Sequence, residues 1–304
     1  MHPAPERTQL RYSSWRMIPA VPLLYRSRRL PPEISGVLLE VTPEQAGWPL
    51  IHFAVRQLAA GATWQATTGR HEVCLVLLSG RCCVRWNLGA PQQLGPRGGV
   101  FDSYPHAAYL PAGTDFEVVA DERTELAECR APSDARTLPR LVPPDACGFE
   151  IRGGGNATRQ IIDILPPSFP ADRLMICEVF TPAGNWSSYP PHKHDVDNPP
   201  GEADLDEIYY FRMREPDGYA FQRLYTADGR SDRTFTVADG DLLLIHEGYH
   251  PFVTAFGYDA YYLNVLAGSR RSMAAADDPR YARFRAAWPP PDPRVPLVEP
   301  PQPR

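Results

Sequence analysis

The residues with the greatest chemical potential lie in one stretch, Asn185 to Asp195, which reads NWSSYPPHKHD. Its centre is His192-Lys193-His194. On a strand, side chains alternate between faces, so His192 and His194 project to the same side and Lys193 to the other. Two imidazoles on one face are half of a metal site; a carboxylate and a further imidazole complete it. Glu207 opens an apolar run, Glu207-Ile208-Tyr209-Tyr210-Phe211. His250 follows a second run, Asp241 to Ile245, and the turn Gly248-Tyr249. A lone His-x-His pair is usually ordinary surface or core histidine. With an acid and a third histidine at strand-like offsets, the reading is that His192, His194, Glu207 and His250 hold one divalent metal ion.

The elements that must position these side chains are strands. The chain has 304 residues, enough for one large or two ordinary domains. Its 35 prolines and 22 glycines leave little room for long helices and supply many turns. Short runs of Val, Leu, Ile, Tyr and Phe between the turn residues predict an all-β chain. Residues 1–35 read as an irregular arm. Strand patterns then run from residue 36 to 132, among them the continuous apolar stretch Glu72 to Leu78. A Pro-rich segment, 133–150, reads as a linker, after which the strand and turn order restarts over 151–288. The repeat predicts two antiparallel jelly-roll barrels in one chain, a bicupin, with the metal in the C-terminal one. The N-terminal barrel lacks a His-x-His pair and is expected to be metal-free, with His71 and His106 as scaffold or surface residues. Asp277 to Trp288 suits a short helix. The tail, 289–304, is half proline and is expected to be polyproline-like or solvated.

Net charge is −5, which offers nothing to nucleic acid or an anionic membrane. The first residues have no signal-like apolar core, and Val21 to Tyr25 is too short to span a bilayer. A cytoplasmic location is expected. The six cysteines, Cys74, Cys82, Cys83, Cys129, Cys147 and Cys177, form no C-x-x-C pair and read as reduced, mostly packed thiols.

Several longer strings carry a family resemblance: GNATRQIIDILPP, ADRLMICEVFTPAGNWSSYPPHKHD, DEIYYFR, FQRLYT, DGDLLLIHEGYHP, GYDAYYLNVLAG and DDPRY, with YLPAGT and ELAECRAPSD in the first half. The chain resembles the 5-deoxy-glucuronate isomerase family of myo-inositol catabolism, and more loosely the related 5-keto-4-deoxyuronate isomerases. The resemblance is densest from Gly155 to Gly268. It implies a bicupin whose metal ligands are His192, His194, Glu207 and His250. It also implies an aldose–ketose isomerisation of 5-deoxy-glucuronate to 5-dehydro-2-deoxy-gluconate. His246 departs from the family pattern, which usually has Pro there, and is given no role.

Such a reaction moves a proton between adjacent carbons through an enediolate, whose charge a Lewis-acidic metal stabilises. Zinc, manganese, iron and nickel all suit imidazole plus carboxylate, so the metal's identity stays open. The candidates for proton transfer are Tyr209, Tyr262 and Glu207 itself; Lys193 points away by alternation. The substrate's carboxylate calls for arginine, with Arg159, Arg173 and Arg223 as candidates. Rival readings are an oxygen-dependent cupin dioxygenase with the same ligands and a non-catalytic sugar-binding bicupin. The expected partner is a small sugar acid, with self-association into a homo-oligomer open.

Overall fold

The structure, a computed structural model, describes residues 21–87 and 89–302. The first twenty residues of the expected arm thus lie outside the described residues. The remainder of the arm is not irregular throughout. Leu24–Arg26 pairs antiparallel with Asp241–Ile245 and extends a sheet of the C-terminal half. The edge of that sheet would otherwise expose unpaired backbone groups.

The chain is all-β, folded as two antiparallel barrels in one polypeptide, as expected. In the first half one long strand, His71–Trp86, serves both layers of a sandwich. Its early residues pair with Thr124–Pro132 and Ala107–Leu110, its late residues with Gln92–Arg97 and Asp115–Ala120. The register slips on either side of Ser79-Gly80, where the strand bends. Gly80 has φ +93°, and a Cβ there would meet Arg123 O at 2.3 Å, so no other residue fits.

In the second half the large sheet runs, in spatial order, Leu24–Arg26, Asp241–Ile245, Glu202–Met213, Ala260–Gly268, Leu174–Thr181, Arg159–Leu165 and Gly148–Arg152. It faces a smaller sheet made of Trp186–Ser187, Phe252–Thr254, Tyr219–Tyr225 and Asp232–Ala238. Each half has its own interior cluster of apolar side chains. A third and larger cluster joins the two halves. It unites Phe53, Tyr109 and Cys129 of the first with Phe180, Tyr210 and Tyr261 of the second. The large sheets therefore pack back to back, which explains why their central strands are apolar on both faces.

Two buried acids fasten this junction. Arg97 donates to both oxygens of Glu178 at 2.8 Å, and Tyr261 adds a third hydrogen bond at 3.0 Å. Both charged side chains are fully buried. The Glu72 carboxylate reaches across in the other direction and accepts the backbone N–H groups of Asp172, Arg173 and Leu174.

Three segments differ from the sequence expectation. The expected linker, 133–150, is largely built into sheets: Arg140–Val142 pairs with Ala107–Leu110, and Gly148–Arg152 with Arg159–Leu165. Its apolar residues cover edges that a free linker would leave open. The tail is docked rather than solvated. Gln160, fully buried, donates to Val298 O and accepts from the Leu297 and Val298 N–H groups, and Val298 is itself buried. The helix expected within 277–288 is confined to a six-residue 3-10 helix, Ala282–Ala287. All six cysteines are free thiols, and His106 accepts a backbone hydrogen bond from Gly95 as a scaffold residue.

A buried ion pair destabilises most when only one partner is removed, because the other charge is left without compensation. Arg97→Met should therefore cost about 3–5 kcal/mol of unfolding free energy in urea titration, and Arg97→Met with Glu178→Leu should cost less than the single change.

Candidate metal centre and cavity

Glu207 lies in the middle of Glu202–Met213, flanked on both sides by strands. Alternation sends Glu207, Tyr209 and Phe211 into the C-terminal barrel, and Ile208 and Tyr210 into the junction between halves. A carboxylate in that position is nearly water-free and needs compensation. It comes from the opposite wall. His194 Nε2 lies 2.8 Å from Glu207 Oε2, and His250 Nε2 lies 3.3 Å from the same oxygen. One ligand atom from each of the three residues falls within 4.8 Å of the others. The His192 ring centroid is 4.6 Å from that of His250 and 6.3 Å from that of His194. The structure thus brings together all four residues singled out by the sequence, three in direct contact and His192 half-buried beside them.

Local structure explains each placement. Of His192, Lys193 and His194, only His192–Lys193 is strand; it pairs with Ala276–Asp277. Lys193 points away and is held by Asp195 and Glu202 at 2.6 and 2.7 Å. His250 arrives through the turn at Gly248, whose φ of +81° and 2.4 Å approach to Tyr225 O exclude a Cβ. Gln222, fully buried behind it, donates to the carbonyls of His250 and Pro251. His246 is no part of the centre; it packs on Trp48 of the first half, with ring centroids 4.7 Å apart.

The electrostatics are those of a cation site. Burial alone would raise the pKa of Glu207, but His194, His250 and Asn264 outweigh it and hold the carboxylate below its usual range. Burial likewise opposes protonation of His194, yet the Glu207 charge prevails and its pKa rises. His250 and His192 shift down, through burial and through the neighbouring imidazoles, and so stay neutral. Nδ1 of His250 lies 3.1 Å from Gly248 O, and Nδ1 of His192 lies 3.4 Å from Pro190 O. Those carbonyls favour the tautomer with a lone pair on Nε2. His250 Nε2, near Glu207 but outside hydrogen-bond geometry, has no hydrogen-bond partner among the described residues. A buried lone pair without a donor, beside a buried carboxylate, fits a divalent cation.

The centre forms one side of a cavity of about 410 Å³. A larger cleft of about 660 Å³ elsewhere on the barrel, walled by Trp186, Phe221, Tyr281 and Trp288, is lined by no histidine or carboxylate. The smaller cavity is where the chemistry lies. Tyr209 and Tyr262 line it, stacked with centroids 4.1 Å apart. Their hydroxyls meet those of Ser188 and Ser187 at 2.9 and 2.5 Å. Burial pushes both phenols above their usual pKa, so they remain protonated.

Of the three arginines, the structure places one in the cavity. Arg159 is buried, and its Nη1 donates to Ala157 O and Tyr189 O, both at 3.1 Å. No described carboxylate pairs with it, and burial pulls its pKa down to about 10. Arg223 is on the outer face of its strand, in a bidentate pair with Asp232 at 2.8 and 2.6 Å. The inward position there belongs to Gln222. Arg173 is at the junction of the halves, donating to Pro132 O. Neither lines this cavity; which face of its strand Arg223 takes is a parity that the sequence leaves open.

Sequence reasoning missed Ser187, Ser188, Asn264, Asp163, Arg152 and Arg285, which the site uses or whose side chains line the cavity. Asn264 was within reach, two residues after Tyr262 on the same strand face. Ser188 was not, because its role depends on a positive φ of 49°, a strained conformation that clusters at functional sites.

The KduI/IolB family model matches residues 24–284. The 5-deoxy-glucuronate isomerase of Geobacillus kaustophilus is 45% identical over 249 residues, covering 82% of this chain and 90% of that protein. The enzyme of the same name from Bacillus subtilis strain 168 is 37% identical over 251 residues, 81% and 93% of the two chains. Among solved structures, an IolB-like protein of Salmonella typhimurium superposes with a TM-score of 0.83 at 37% identity, covering 87% of this chain and 99% of that one. The Lactobacillus farciminis oxalate decarboxylase, at 15% identity and a TM-score of 0.60 over 88% and 91% of the chains, shares the cupin fold alone. The chain thus belongs to the KduI/IolB family, as a cupin-fold enzyme of the isomerase class.

Proposed function

We propose that the protein converts 5-deoxy-glucuronate to 5-dehydro-2-deoxy-gluconate with one divalent metal ion held by His192, His194, Glu207 and His250. The observation that carries this reading is the buried His194–Glu207–His250 cluster, with His192 beside it, sharing a cavity with an arginine that has no acidic partner among the described residues. The relatives' names give a substrate and the isomerase class, and the side chains present suit an aldose–ketose isomerisation. The bound ion would supply Lewis acidity toward the oxygens of an α-hydroxy aldehyde.

The chain's own residues carry the remaining tasks. Arg159 pairs with the carboxylate of the sugar acid, to which it presents a guanidinium already desolvated and oriented by two carbonyls. The reaction takes a proton from C2 and delivers one to C1, while the hydroxyl proton at C2 is lost and one is gained by the oxygen at C1. Tyr209 and Tyr262, kept neutral by burial, act as donors and not as bases. Each is coupled to a serine hydroxyl through which a proton can pass. Glu207 is the ionised acceptor at the centre. Tyr262, Val179 and Ile161 form an apolar stretch of the cavity wall.

His250→Ala, and separately His192→Ala, should abolish turnover and lower the bound metal in elemental analysis while circular dichroism stays unchanged. Full turnover by metal-free protein would sink the proposal. A chelator should silence the native enzyme and added divalent metal restore it, with isomerisation proceeding equally under argon; an oxygen requirement would favour the dioxygenase reading. Arg159→Met should lower kcat/KM by about 30-fold or more, as expected for one partner lost from a desolvated charge pair.

A further inference from the structure

The cavity holds a second carboxylate, and the metal centre does not use it. Asp163 lies on Arg159–Leu165, on the face that also sends Arg159 and Ile161 into the cavity. The register of that strand against Leu174–Thr181 slips between Asp163 and Leu165. Such bulges re-aim side chains next to functional sites. No described donor hydrogen-bonds to the Asp163 side-chain oxygens. The nearby Arg152 guanidinium is engaged by Glu150, through bonds of 2.9 and 2.7 Å. Cys177 stands directly opposite on one side, and on the other is Gly148, where a Cβ would come within 3.2 Å of Asp163 Oδ2. The carboxylate lines the cavity, and the glycine leaves its flank uncrowded. Burial also raises its pKa, against the pull of Arg152. A half-buried carboxylate without donors is costly unless something supplies them.

Its place in the sheet says what that something is. Asp163, Cys177, Asn264 and Tyr209 lie on one rung of four adjacent strands. Three interstrand steps put Asp163 about 14 Å along the sheet from the strand that carries Glu207. A carbon held at the metal centre is beyond its reach, but the rest of a six-carbon chain extending from there is not.

We propose that Asp163 is a substrate-contacting residue whose carboxylate accepts hydrogen bonds from hydroxyl groups along the sugar-acid chain, so that the cavity reads a polyhydroxylated anion through Arg159 as donor and Asp163 as acceptor. This rests on the isomerase reading above. Only a ligand with hydroxyl donors beyond the reacting pair satisfies Asp163, which gives the site a preference for polyhydroxy acids over simple hydroxyaldehydes.

The test uses the full-length, metal-loaded protein. Steady-state kinetics with 5-deoxy-glucuronate are compared with equilibrium dialysis of the equilibrated substrate–product mixture, for the native chain, Asp163→Asn and Gly148→Ala. The near-isosteric Asp163→Asn should raise KM and the dissociation constant about tenfold while kcat changes by less than about threefold. Gly148→Ala, which crowds the same carboxylate from the neighbouring strand, should shift KM in the same direction by less. Unchanged KM and affinity in both variants overturns the proposal, as does a loss confined to kcat, which would mark Asp163 as a proton-transfer group. If the native protein binds the sugar acid without turning it over, the isomerase reading fails, and the affinity of Asp163→Asn still decides the subsite. A native protein that neither binds nor converts it overturns both.

Discussion

One carboxylate organises the C-terminal barrel. Glu207 sits on a central strand with its side chain turned inward, and it is 1% exposed. An ion in that position is untenable unless other groups balance it. The balance comes from His194, His250 and Asn264, and each of these needs support of its own. The His192–His194 segment is pinned where Asp278 donates its N–H to Pro191 O at 2.7 Å, and Tyr225 in turn donates to Asp278 at 2.6 Å. His250 depends on the Gly248 turn and on Gln222. The residues around the centre are therefore mostly a scaffold for that one charge.

The N-terminal half has a different part to play. Its sheet covers the back of the sheet that bears Glu207, so that Tyr210, Tyr261 and Leu263 are buried against Phe53 and its neighbours rather than exposed. The Arg97–Glu178 pair and the Glu72 carboxylate give that apolar contact a fixed register, because polar groups buried at such depth must meet their partners. The docked tail works on the same face: Val298 joins the cluster between the halves, and Gln160, the neighbour of Arg159, is tied to Leu297 and Val298.

Much of this was legible in the chain before any coordinates. The turn-rich, strand-like pattern gave an all-β bicupin, and the His192-Lys193-His194 spacing with Glu207 and His250 picked out the residues that do converge. Tyr209 shares the face of Glu207 because their strand holds its period of two, whereas the face of Tyr262, on another strand, follows only from the sheet. Arg223 shows the limit of a two-residue period. The pattern set it opposite Gln222, but inward and outward differ by one residue of register, and both Phe221 and Gln222 were acceptable inside. Asp163 was invisible for a related reason, because a bulge after it is a property of the paired strands and not of either sequence alone.

The sequence by itself determined the fold class, the identity of the four clustered residues and which residues of a strand share a face, because these follow from side-chain type and a two-residue period. Tertiary structure alone decided that Arg159 enters the cavity while Arg223 pairs with Asp232 outside, that Ser188 meets Tyr209, and that a proline-rich tail docks on Gln160. Those outcomes depend on which groups are left without partners once the sheets have closed on each other, and that balance exists only in the folded chain.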